Sequence, residues 1–442
     1  MNMFKNVALS SIALFALVNA STAQMNKIAF TEYDLPNGLH VILHEDHKTP
    51  IVTVSVLYHV GSKNEDPKRT GFAHFFEHLM FEGSENMERG EYMKLVESNG
   101  GNLNANTSFD RTYYYEVLPS NQLEMALWME SERMLHAKID AKGVETQRGV
   151  VKEEKKLRLD NQPYGSILQE TYSHAYKVHP YNWVPIGSAQ YIDAATIEEF
   201  MDFYKTFYVP NNATLTLAGD FDPKVAKEWV SKYFSEIPKS LKLIPRPKEV
   251  EPAQKAEVRD TVWDNIQLPA VVMAYHIPGE AEPDYYAVSM LTQLLSQGES
   301  SRLQKEVKDK QQKSLYVGSF AIPTEDPGLA MMFGITNMGV GPDDLEKAID
   351  VEIEKTKNEL ISEDEFQKLK NQVENDFIGG NSTMEGIAES LANYEVYYGD
   401  ANLINTELDR YLKVTREDIK RVANKYFTKQ NRVVLYYLPK EK

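Results

Sequence analysis

Residues 195–221 read ATIEEFMDFYKTFYVPNNATLTLAGDF, and residues 414–440 read VTREDIKRVANKYFTKQNRVVLYYLPK. Each stretch opens with a threonine suited to cap a helix, Thr196 or Thr415, and acidic residues follow in the first turn. Apolar residues then recur at helical spacing, and an asparagine sixteen residues after the threonine leads into a β-rich run in both stretches. The chain is therefore predicted to build the same helix, turn and strand twice.

A second pair of segments repeats at nearly the same distance along the chain. Residues 52–62, VTVSVLYHVGS, and residues 270–280, AVVMAYHIPGE, both alternate as strands that end in a histidine, His59 or His276. A polar turn and an apolar helix follow each of them. Because both pairs share one offset, we predict an α+β fold of two homologous halves, each an antiparallel β-sheet with packed helices.

The ends of these halves follow from composition. Residues 238–258 are rich in Pro and Lys and lack periodicity, so they are predicted to link the halves. The predicted domains are then a signal peptide at 1–23, an N-terminal catalytic domain at 24–237, and a C-terminal homologous domain without a metal site at 259–442.

The N-terminal residues have the pattern of a secretory signal peptide. Lys5 supplies the positive charge, residues 7–18 form a short apolar run, and Ser21, Thr22 and Ala23 make a small-x-small cleavage site. The alternative is a membrane anchor, but this apolar run is short for a span. We expect cleavage near Ala23 and a periplasmic or secreted protein of bacterial type.

Overall composition narrows the possible partners and ligands. The formal charge of −17 argues against nucleic acid and anionic membrane surfaces as partners. The sequence contains no cysteine, so disulfides are excluded and any metal site must use histidines and carboxylates.

Residues 70–83, TGFAHFFEHLMFEG, hold His74, Glu77 and His78 within an apolar segment. On a helix the two histidines lie one turn apart on the same face, a spacing that lets both bind one Zn²⁺. This H-x-x-E-H pattern inverts the H-E-x-x-H motif of zinc proteases, which predicts Glu77 as the general base for an attacking water. The corresponding helix of the second half, residues 285–296, has Leu and Gln at these places, so the fold does not require the polar residues.

A third ligand is expected in residues 146–160, TQRGVVKEEKKLRLD, where two glutamates are adjacent. On a helix, Glu153 falls with lysines on the solvent-facing side, whereas Glu154 falls on a stripe expected to be buried. That stripe comprises Val150, Val151, Glu154 and Leu157. A carboxylate on an apolar stripe is costly unless it is paired or binds metal, which favours Glu154 as the ligand.

Here the sequence resembles the pitrilysin/insulysin family of HxxEH zinc metallopeptidases, in particular its processing-peptidase-like bacterial branch. The resemblance covers nearly the whole chain after residue 23. It rests on HFFEH, on Glu154 after seventy-five intervening residues, and on the segments GGNLNANTSFDRTYYYEVLP (100–119), DNQPYG (160–165), HPYNWVPIGS (179–188), FYVPNNATLTLAGDF (207–221) and SSRL (300–303). It implies that the chain forms half of a clam-shell chamber, that His74, His78 and Glu154 bind one zinc ion per chain, and that Glu77 is the catalytic base. It also implies that Asn104 and Ala105 lie on the strand edge that binds peptide substrates.

Two departures from this family concern the ligand shell and the substrate clamp. Gln147 stands where relatives often have an acidic residue near the third ligand. Lys308 stands where an Arg is expected, and the substrate-binding Tyr316 is eight residues further on instead of seven. Lysine lacks the planar fork of arginine, so we predict a dimer with a homologous subunit that carries an intact Arg/Tyr clamp. The alternative is an active homodimer.

Taken together, these patterns predict a zinc-dependent endopeptidase acting on peptides or unfolded segments inside an enclosed cavity. The alternative is a non-catalytic binding or assembly subunit of the same family, a class that usually loses the metal ligands. Two imidazoles and a carboxylate favour Zn²⁺, although such a site also takes Mn²⁺ or Co²⁺.

Overall fold

The computed structural model describes residues 27–440, so the predicted signal peptide at 1–23 lies outside the described residues. The strands are β1 (Thr31–Asp34), β2 (His40–Glu45), β3 (Ile51–Tyr58), β4 (Asn102–Thr107), β5 (Thr112–Pro119), β6 (Ala213–Gly219), β7 (Val258–Asp264), β8 (Ala270–His276), β9 (Ser314–Ala321), β10 (Leu329–Thr336) and β11 (Arg432–Pro439).

The α-helices are α1 (Phe72–Leu79), α2 (Glu91–Ser98), α3 (Leu123–His136), α4 (Ala141–Lys155), α5 (Ile167–Ala175), α6 (Ala189–Ala194), α7 (Ile197–Phe207), α8 (Pro223–Phe234), α9 (Pro283–Ser296), α10 (Pro342–Asn358), α11 (Glu363–Gly380), α12 (Met384–Tyr398), α13 (Glu407–Lys413) and α14 (Arg416–Tyr426). Two π-helical segments, Lys156–Asp160 and Leu303–Lys310, continue α4 and precede β9. Short 3₁₀ turns lie at Ser62–Asn64, Ser120–Gln122, Pro180–Asn182, Pro210–Asn212, Ala401–Asn405 and Lys429–Asn431.

The two sheets have the same strand order. The first sheet runs β1-β2-β6-β3-β5-β4, and the second runs β7-β11-β8-β10-β9, which repeats the first strand for strand once β1 is set aside. One pair in each sheet is parallel, β2 with β6 and β7 with β11. The predicted α+β fold of two homologous halves is confirmed. The expectation of purely antiparallel sheets is wrong for these two pairs, because each joins strands far apart in the chain and not a hairpin.

The repeated helices begin with the same cap. The hydroxyl of Thr196 accepts the N–H of Glu199 at 3.2 Å, and the Glu199 carboxylate accepts the N–H of Thr196 at 2.8 Å. Thr415 and Asp418 form the same reciprocal pair at the start of α14, with both distances 3.1 Å. Each cap satisfies two backbone donors that the helix leaves unpaired.

The asparagine in the turn after each repeated helix connects the two repeated segments. The side-chain amide of Asn212 donates to the carbonyl oxygen of His59 at 3.3 Å, and that of Asn431 donates to the carbonyl oxygen of His276 at 2.8 Å. Both asparagines therefore hold the strand that follows them beside the end of β3 or β8.

One helix from each half packs against the sheet of the other half. Helix α5 of the first half packs on the second sheet, and α12 of the second half packs on the first sheet. The buried contacts include Tyr172 and Ala175 of α5 beside Val272 and Leu435, and Ala388 and Leu391 of α12 beside Ile42 and Ala218. We call α5 and α12 the exchanged helices.

A buried ion-pair cluster also joins the halves. The Lys63 ammonium, 4% exposed, contacts Asp110 at 2.9 Å within the first half. It also contacts Glu325 at 2.5 Å and Asp326 at 3.0 Å in the loop between β9 and β10 of the second half. The seam between the halves therefore combines apolar packing with buried charge.

The predicted linker carries no helix or strand before β7 begins at Val258. The domain boundaries drawn around it stay a prediction. Across residues 27–440, no helix combines the length and apolar character needed to cross a bilayer.

Candidate active site

A buried carboxyl group fixes the start of α1. Glu65 accepts the backbone N–H groups of Gly71 and Ala73 at 2.9 and 2.8 Å, and the indole N–H of Trp183 at 3.0 Å. Gly71 takes a φ of 99°, a conformation that favours glycine. Burial raises the pKa of Glu65 to about 8 against the opposing effect of these donors. Glu65 lies too far before the helix to resemble a capping box, so the sequence pattern did not reveal it.

The histidines of α1 point away from the hydrophobic core. Phe75, Phe76 and Leu79 are fully buried on the core face of the helix. The rings of His74 and His78 lie on the other face, with their centroids 4.9 Å apart. The two histidines therefore share one face of α1, as their spacing predicted, and both imidazoles can bind one ligand together.

Helix α4 brings Glu154 to the two rings. The Nε2 atoms of His74 and His78 lie 3.6 and 3.1 Å from Oε2 of Glu154. The three ligand atoms lie within 4.8 Å of one another. Residues of two helices that are far apart in the sequence thus meet in one cleft.

These residues fit a metal ion because they are common metal ligands and because one buried carboxylate oxygen lacks a hydrogen bond. Oε2 of Glu154 is buried and has no hydrogen-bond partner among the described residues. Burial lowers the pKa of His74 to about 4 and also lowers that of His78, so both rings are neutral at pH 7, the form that binds metal. Two imidazole nitrogens and one carboxylate oxygen are the donor set of a catalytic zinc site.

Glu77 lies between the histidines and the first sheet. The hydroxyl of Thr107, the last residue of β4, donates to Oε2 of Glu77 at 2.5 Å. Burial raises the pKa of Glu77 to about 7, and the Thr107 hydrogen bond opposes this change. A carboxyl group with a pKa near neutrality is suited to accept and return a proton. The contact with Thr107 is long-range, and sequence analysis did not identify it.

Strand β4 forms a free edge of the first sheet beside this cleft. It pairs with β5 on one side and ends the strand order on the other. The N–H of Ala105 donates to the side-chain oxygen of Asn104 at 2.9 Å, so this donor bonds within β4. A peptide strand added at Ala105 would replace the Asn104 contact. The substrate-binding role of Asn104 and Ala105 stays a prediction.

Glu154 turns toward the cleft, but the stripe predicted around it is only partly buried. Val151 is 3% exposed, whereas Val150 is 44% and Leu157 is 57% exposed. The chain changes to a π-helix after Lys155, which alters the face that Leu157 presents. Glu153 is on the wet side as expected, 3.6 Å from Lys156.

Gln147 contacts a second carboxylate behind the cleft. Its amide donates to Glu82, which is buried and pairs with Arg89. Gln147 also lies beside His78 and favours the protonated form of that ring. The amide therefore connects a ligand candidate to the Glu82–Arg89 pair.

Tyr316 lies in the second half, away from this cleft. It is 53% exposed on β9, the edge strand of the second sheet, and its ring centroid is 5.8 Å from that of Phe333. Lys308 is exposed within the π-helix, which ends at Lys310. Because Tyr316 is on a strand, its spacing of eight residues from Lys308 spans the end of the π-helix and the start of β9. Its predicted role in binding substrate stays untested.

Comparisons with known proteins agree with this geometry. Residues 40–183 match the family described as Insulinase (Peptidase family M16), and residues 194–373 match Peptidase M16 inactive domain. The chain is 32% identical to Zinc protease PqqE of Helicobacter pylori over 98% of both chains. A crystal structure of a protease from Helicobacter pylori, 30% identical, covers 94% of this chain and 100% of its own, with a TM-score of 0.90.

A more distant structure shares the fold alone. The periplasmic protease PqqL from Escherichia coli is 20% identical with a TM-score of 0.72, and the match covers 92% of this chain but 47% of PqqL. The identity to the Helicobacter protease over nearly the full length decides the family, and the chain belongs to peptidase family M16, the insulinase family.

Proposed function

We propose that the protein is a zinc-dependent endopeptidase in which His74, His78 and Glu154 hold the ion. The observation that carries this proposal is the approach of two neutral Nε2 atoms to a buried carboxylate oxygen that has no hydrogen-bond partner among the described residues. Helix α1 is held for this task by Glu65. The names of the relatives, zinc proteases, agree with this assignment.

The residues of the chain divide the chemistry among them. A bound zinc ion would polarise the scissile carbonyl group and increase the acidity of water. Glu77 accepts the proton of the attacking water and returns it to the leaving amine. Thr107 holds the Glu77 carboxylate by donating to Oε2, which leaves the other oxygen free for the proton. Because Thr107 ends β4, the base and the substrate edge are positioned together.

The substrates are peptides or unfolded segments. The free edge of β4 accepts an extended chain as an added strand, which binds the peptide backbone and requires no folded surface. One cleavable sequence should therefore be cut as a free peptide and resist cleavage inside a stable folded domain.

A second set of halves would complete the chamber. This chain corresponds in fold to about half of PqqL, as its 47% coverage indicates. We therefore propose a dimer, and the exposed Lys308 in place of arginine favours a homologous partner subunit that has the Arg/Tyr clamp. A homodimer of the purified chain that cleaves peptides at ordinary enzyme rates would contradict the heterodimer.

The site of action proposed is the periplasm or the cell exterior, since the sequence begins with a signal-peptide pattern. Mass spectrometry of the N-terminus of the secreted or periplasmic chain tests this, with cleavage near Ala23 expected.

The deciding experiment measures bound metal and peptide cleavage on the same purified chain, with and without chelator. One zinc ion per chain and chelator-sensitive cleavage support the enzyme. The second candidate is a non-catalytic binding subunit; residues 194–373 match Peptidase M16 inactive domain, while the candidate ligands lie in the Insulinase match over residues 40–183. Stoichiometric zinc without cleavage, rescued by a homologous subunit, would support the heterodimer. No zinc and no cleavage in either setting would favour the binding subunit.

A further inference from the structure

A second group of metal-ligand side chains lies at the seam between the halves. Glu32 of β1, His40 of β2 and Glu395 of α12 each bring one ligand atom to within 4.8 Å of the others. The first two belong to the first half, and Glu395 belongs to an exchanged helix of the second half. The proposed peptidase chemistry uses none of these residues.

Asp34 sets the tautomer of His40. Its carboxylate lies 2.8 Å from Nδ1 of His40, and because a carboxylate only accepts hydrogen bonds, Nδ1 carries a proton. The neutral ring then has its lone pair on Nε2, facing away from Asp34. This carboxylate–histidine arrangement is the one that orients metal-binding histidines in proteins.

The Nε2 atom of His40 meets two carboxylates at a distance that suits a shared ion. It is buried and has no hydrogen-bond partner among the described residues, and it lies 3.8 Å from Glu32 and 3.9 Å from Glu395. These separations are too long for hydrogen bonds. Two ligands of a tetrahedral ion with bonds of about 2.0–2.1 Å lie about 3.4 Å apart, so each carboxylate would move toward His40 by about 0.5 Å to share an ion.

His47 provides a contrast with the same residue types. Its Nδ1 lies 2.6 Å from Asp220 and its Nε2 lies 2.7 Å from Glu45, so both nitrogens donate hydrogen bonds. The hydrogen bond to Asp220 and then that to Glu45 raise the pKa of His47. A ring bonded at both nitrogens has no lone pair for a metal. The neutral His40 ring keeps a lone pair on Nε2, and the carboxylates of Glu32 and Glu395 lie near that atom.

The charge around His40 also favours a cation. Glu32, Asp34 and Glu395 surround one imidazole, and the ion pairs that each of them forms among residues 27–440 are with His40 alone. Even a protonated ring would leave two uncompensated negative charges in the group. A divalent ion would neutralise them.

The position of Glu395 comes from the packing of α12. Ala388 and Leu391 pack against Ile42 of β2, and Glu395 is one turn beyond Leu391 on the same face. The apolar contact therefore delivers the carboxylate to the β1–β2 hairpin. An ion bound there would join the hairpin of one half to the exchanged helix of the other.

We propose that Glu32, His40 and Glu395 form a second, structural site for a divalent ion of the zinc class that clamps the two halves together, with Asp34 as the positioning residue. The affinity should be lower than at the peptidase site, since this site has one imidazole and its carboxylate from Glu32 is 46% exposed.

The test uses the full-length chain carrying His74→Ala and His78→Ala, which removes the first proposed site. Titration with Zn²⁺ by calorimetry, and with Co²⁺ by visible absorption, should give one bound ion per chain, and excess Zn²⁺ should raise the melting temperature. Adding His40→Gln should abolish binding and the thermal shift. Adding His47→Gln, the matched control, should leave both unchanged. Asp34→Asn should weaken Zn²⁺ binding by about 10–100-fold.

Three results would overturn the site. They are no Zn²⁺ binding by the double variant, binding that persists after His40→Gln, and a His40 ring shown by NMR to be doubly protonated at pH 7 and unchanged by Zn²⁺. If His40→Gln does not fold, Glu395→Gln on the surface of α12 replaces it and must also lose the ion. None of these results depends on peptidase activity, so this site and the proposed function can fail separately.

Discussion

The two halves have sheets with the same strand order, but the helix that follows β3 differs in its side chains from the helix that follows β8. In the second half, Leu291, Leu294 and Leu295 of α9 are buried in a core of apolar side chains. In the first half, α1 presents His74, Glu77 and His78 to a cleft where they are mostly buried. The second half shows that the fold is satisfied by leucine at this place.

This difference shows that the buried polar groups of the first half lower its stability. Burying imidazole and carboxylate groups costs free energy unless each finds a partner. Oε2 of Glu154 and Nδ1 of His74 are both buried without a hydrogen bond among the described residues. Arg158 pairs with the other oxygen of Glu154 at 3.0 Å, and a bound ligand would offset the remaining cost, which is the usual mark of a functional site.

The largest expected effects come from the polar residues that only the first half has, and the first of these is the base Glu77. Glu77→Gln should lower kcat for peptide cleavage by about 10²–10⁴-fold, because a proton acceptor is lost. Zinc content, measured by atomic emission, should stay at the level of the unchanged chain because no ligand is removed. Glu153→Gln, which alters an exposed glutamate beside Lys156, is the control and should leave both quantities unchanged. Ordinary turnover by Glu77→Gln would refute its role.

Loss of a metal ligand gives a different pattern. Glu154→Ala, made in a chain that also carries His40→Gln to remove the second proposed site, should abolish cleavage and stoichiometric zinc together, since one of three ligands is removed. Metal analysis beside the peptide assay separates this result from that of Glu77→Gln in the same background. Stoichiometric zinc in Glu154→Ala with His40→Gln would mean that another residue is the third ligand.

The exchanged helices allow a test of how far the halves depend on each other. Leu391 of α12 is fully buried against the first sheet, so Leu391→Ala should lower the free energy of unfolding by about 2–5 kcal/mol. Leu168 of α5 is 46% exposed, and the same substitution there should change it by about 0.5 kcal/mol or less. Urea unfolding checks both. Equal effects of the two substitutions would show that α12 does not hold the first sheet.

The buried charges at the seam predict a response to acid. Burial disfavours the charged form of Glu325, but His59 and Lys63 outweigh it and lower its pKa to about 2 from 4.5. The unfolded chain binds this proton more readily, so the stabilisation is complete above pH 4.5 and is lost as the pH falls toward 2.

Glu325→Gln should lower the free energy of unfolding at pH 7 by about 1.5–3 kcal/mol, the range for a hydrogen bond to a charged group. The gap between this variant and the unchanged chain should narrow below pH 4.5, as measured by urea unfolding at several pH values. A gap that is constant with pH would contradict the assigned ion pair with Lys63.

The smallest expected effect concerns the N-terminal helix caps, which the two halves share. Thr196→Ala and Thr415→Ala each remove one cap and should each cost about 1 kcal/mol. Thr206→Ala, within α7, removes no cap and serves as the control. Thermal unfolding of the three variants checks this. A large difference between Thr196→Ala and Thr415→Ala would show that the repeated helices contribute unequally.

Local signals predicted the repeat and the ligand candidates well. The caps at Thr196 and Thr415 and the helical spacing of His74 and His78 depend on neighbours a few residues away, which the sequence displays directly. Glu154 lies beside the histidines and Glu153 faces solvent, as expected, although half of the stripe used to choose between them is exposed; the role of Glu154 as a ligand stays a prediction. The π-helix that contains Leu157 has no sequence pattern of its own.

Contacts between distant segments could not be predicted in the same way. Glu65 caps α1 from outside the usual capping position, and Thr107 reaches Glu77 from another element. The exchange of α5 and α12 is equally hidden, because an apolar helix face fits the sheet of either half. Only the three-dimensional packing decides which sheet it covers.

The exchange of helices has a consequence for biosynthesis. The first half leaves the ribosome before the second half. Ile42 therefore stays exposed until Leu391 has been synthesised and can pack against it. At ~5–20 residues per second, the delay is roughly 20–70 s, far longer than the time in which a sheet of this size collapses. During that interval the back of the first sheet is an open apolar face, ready to associate with other nascent chains. Producing the two halves separately and mixing them would expose the same apolar face of the first sheet.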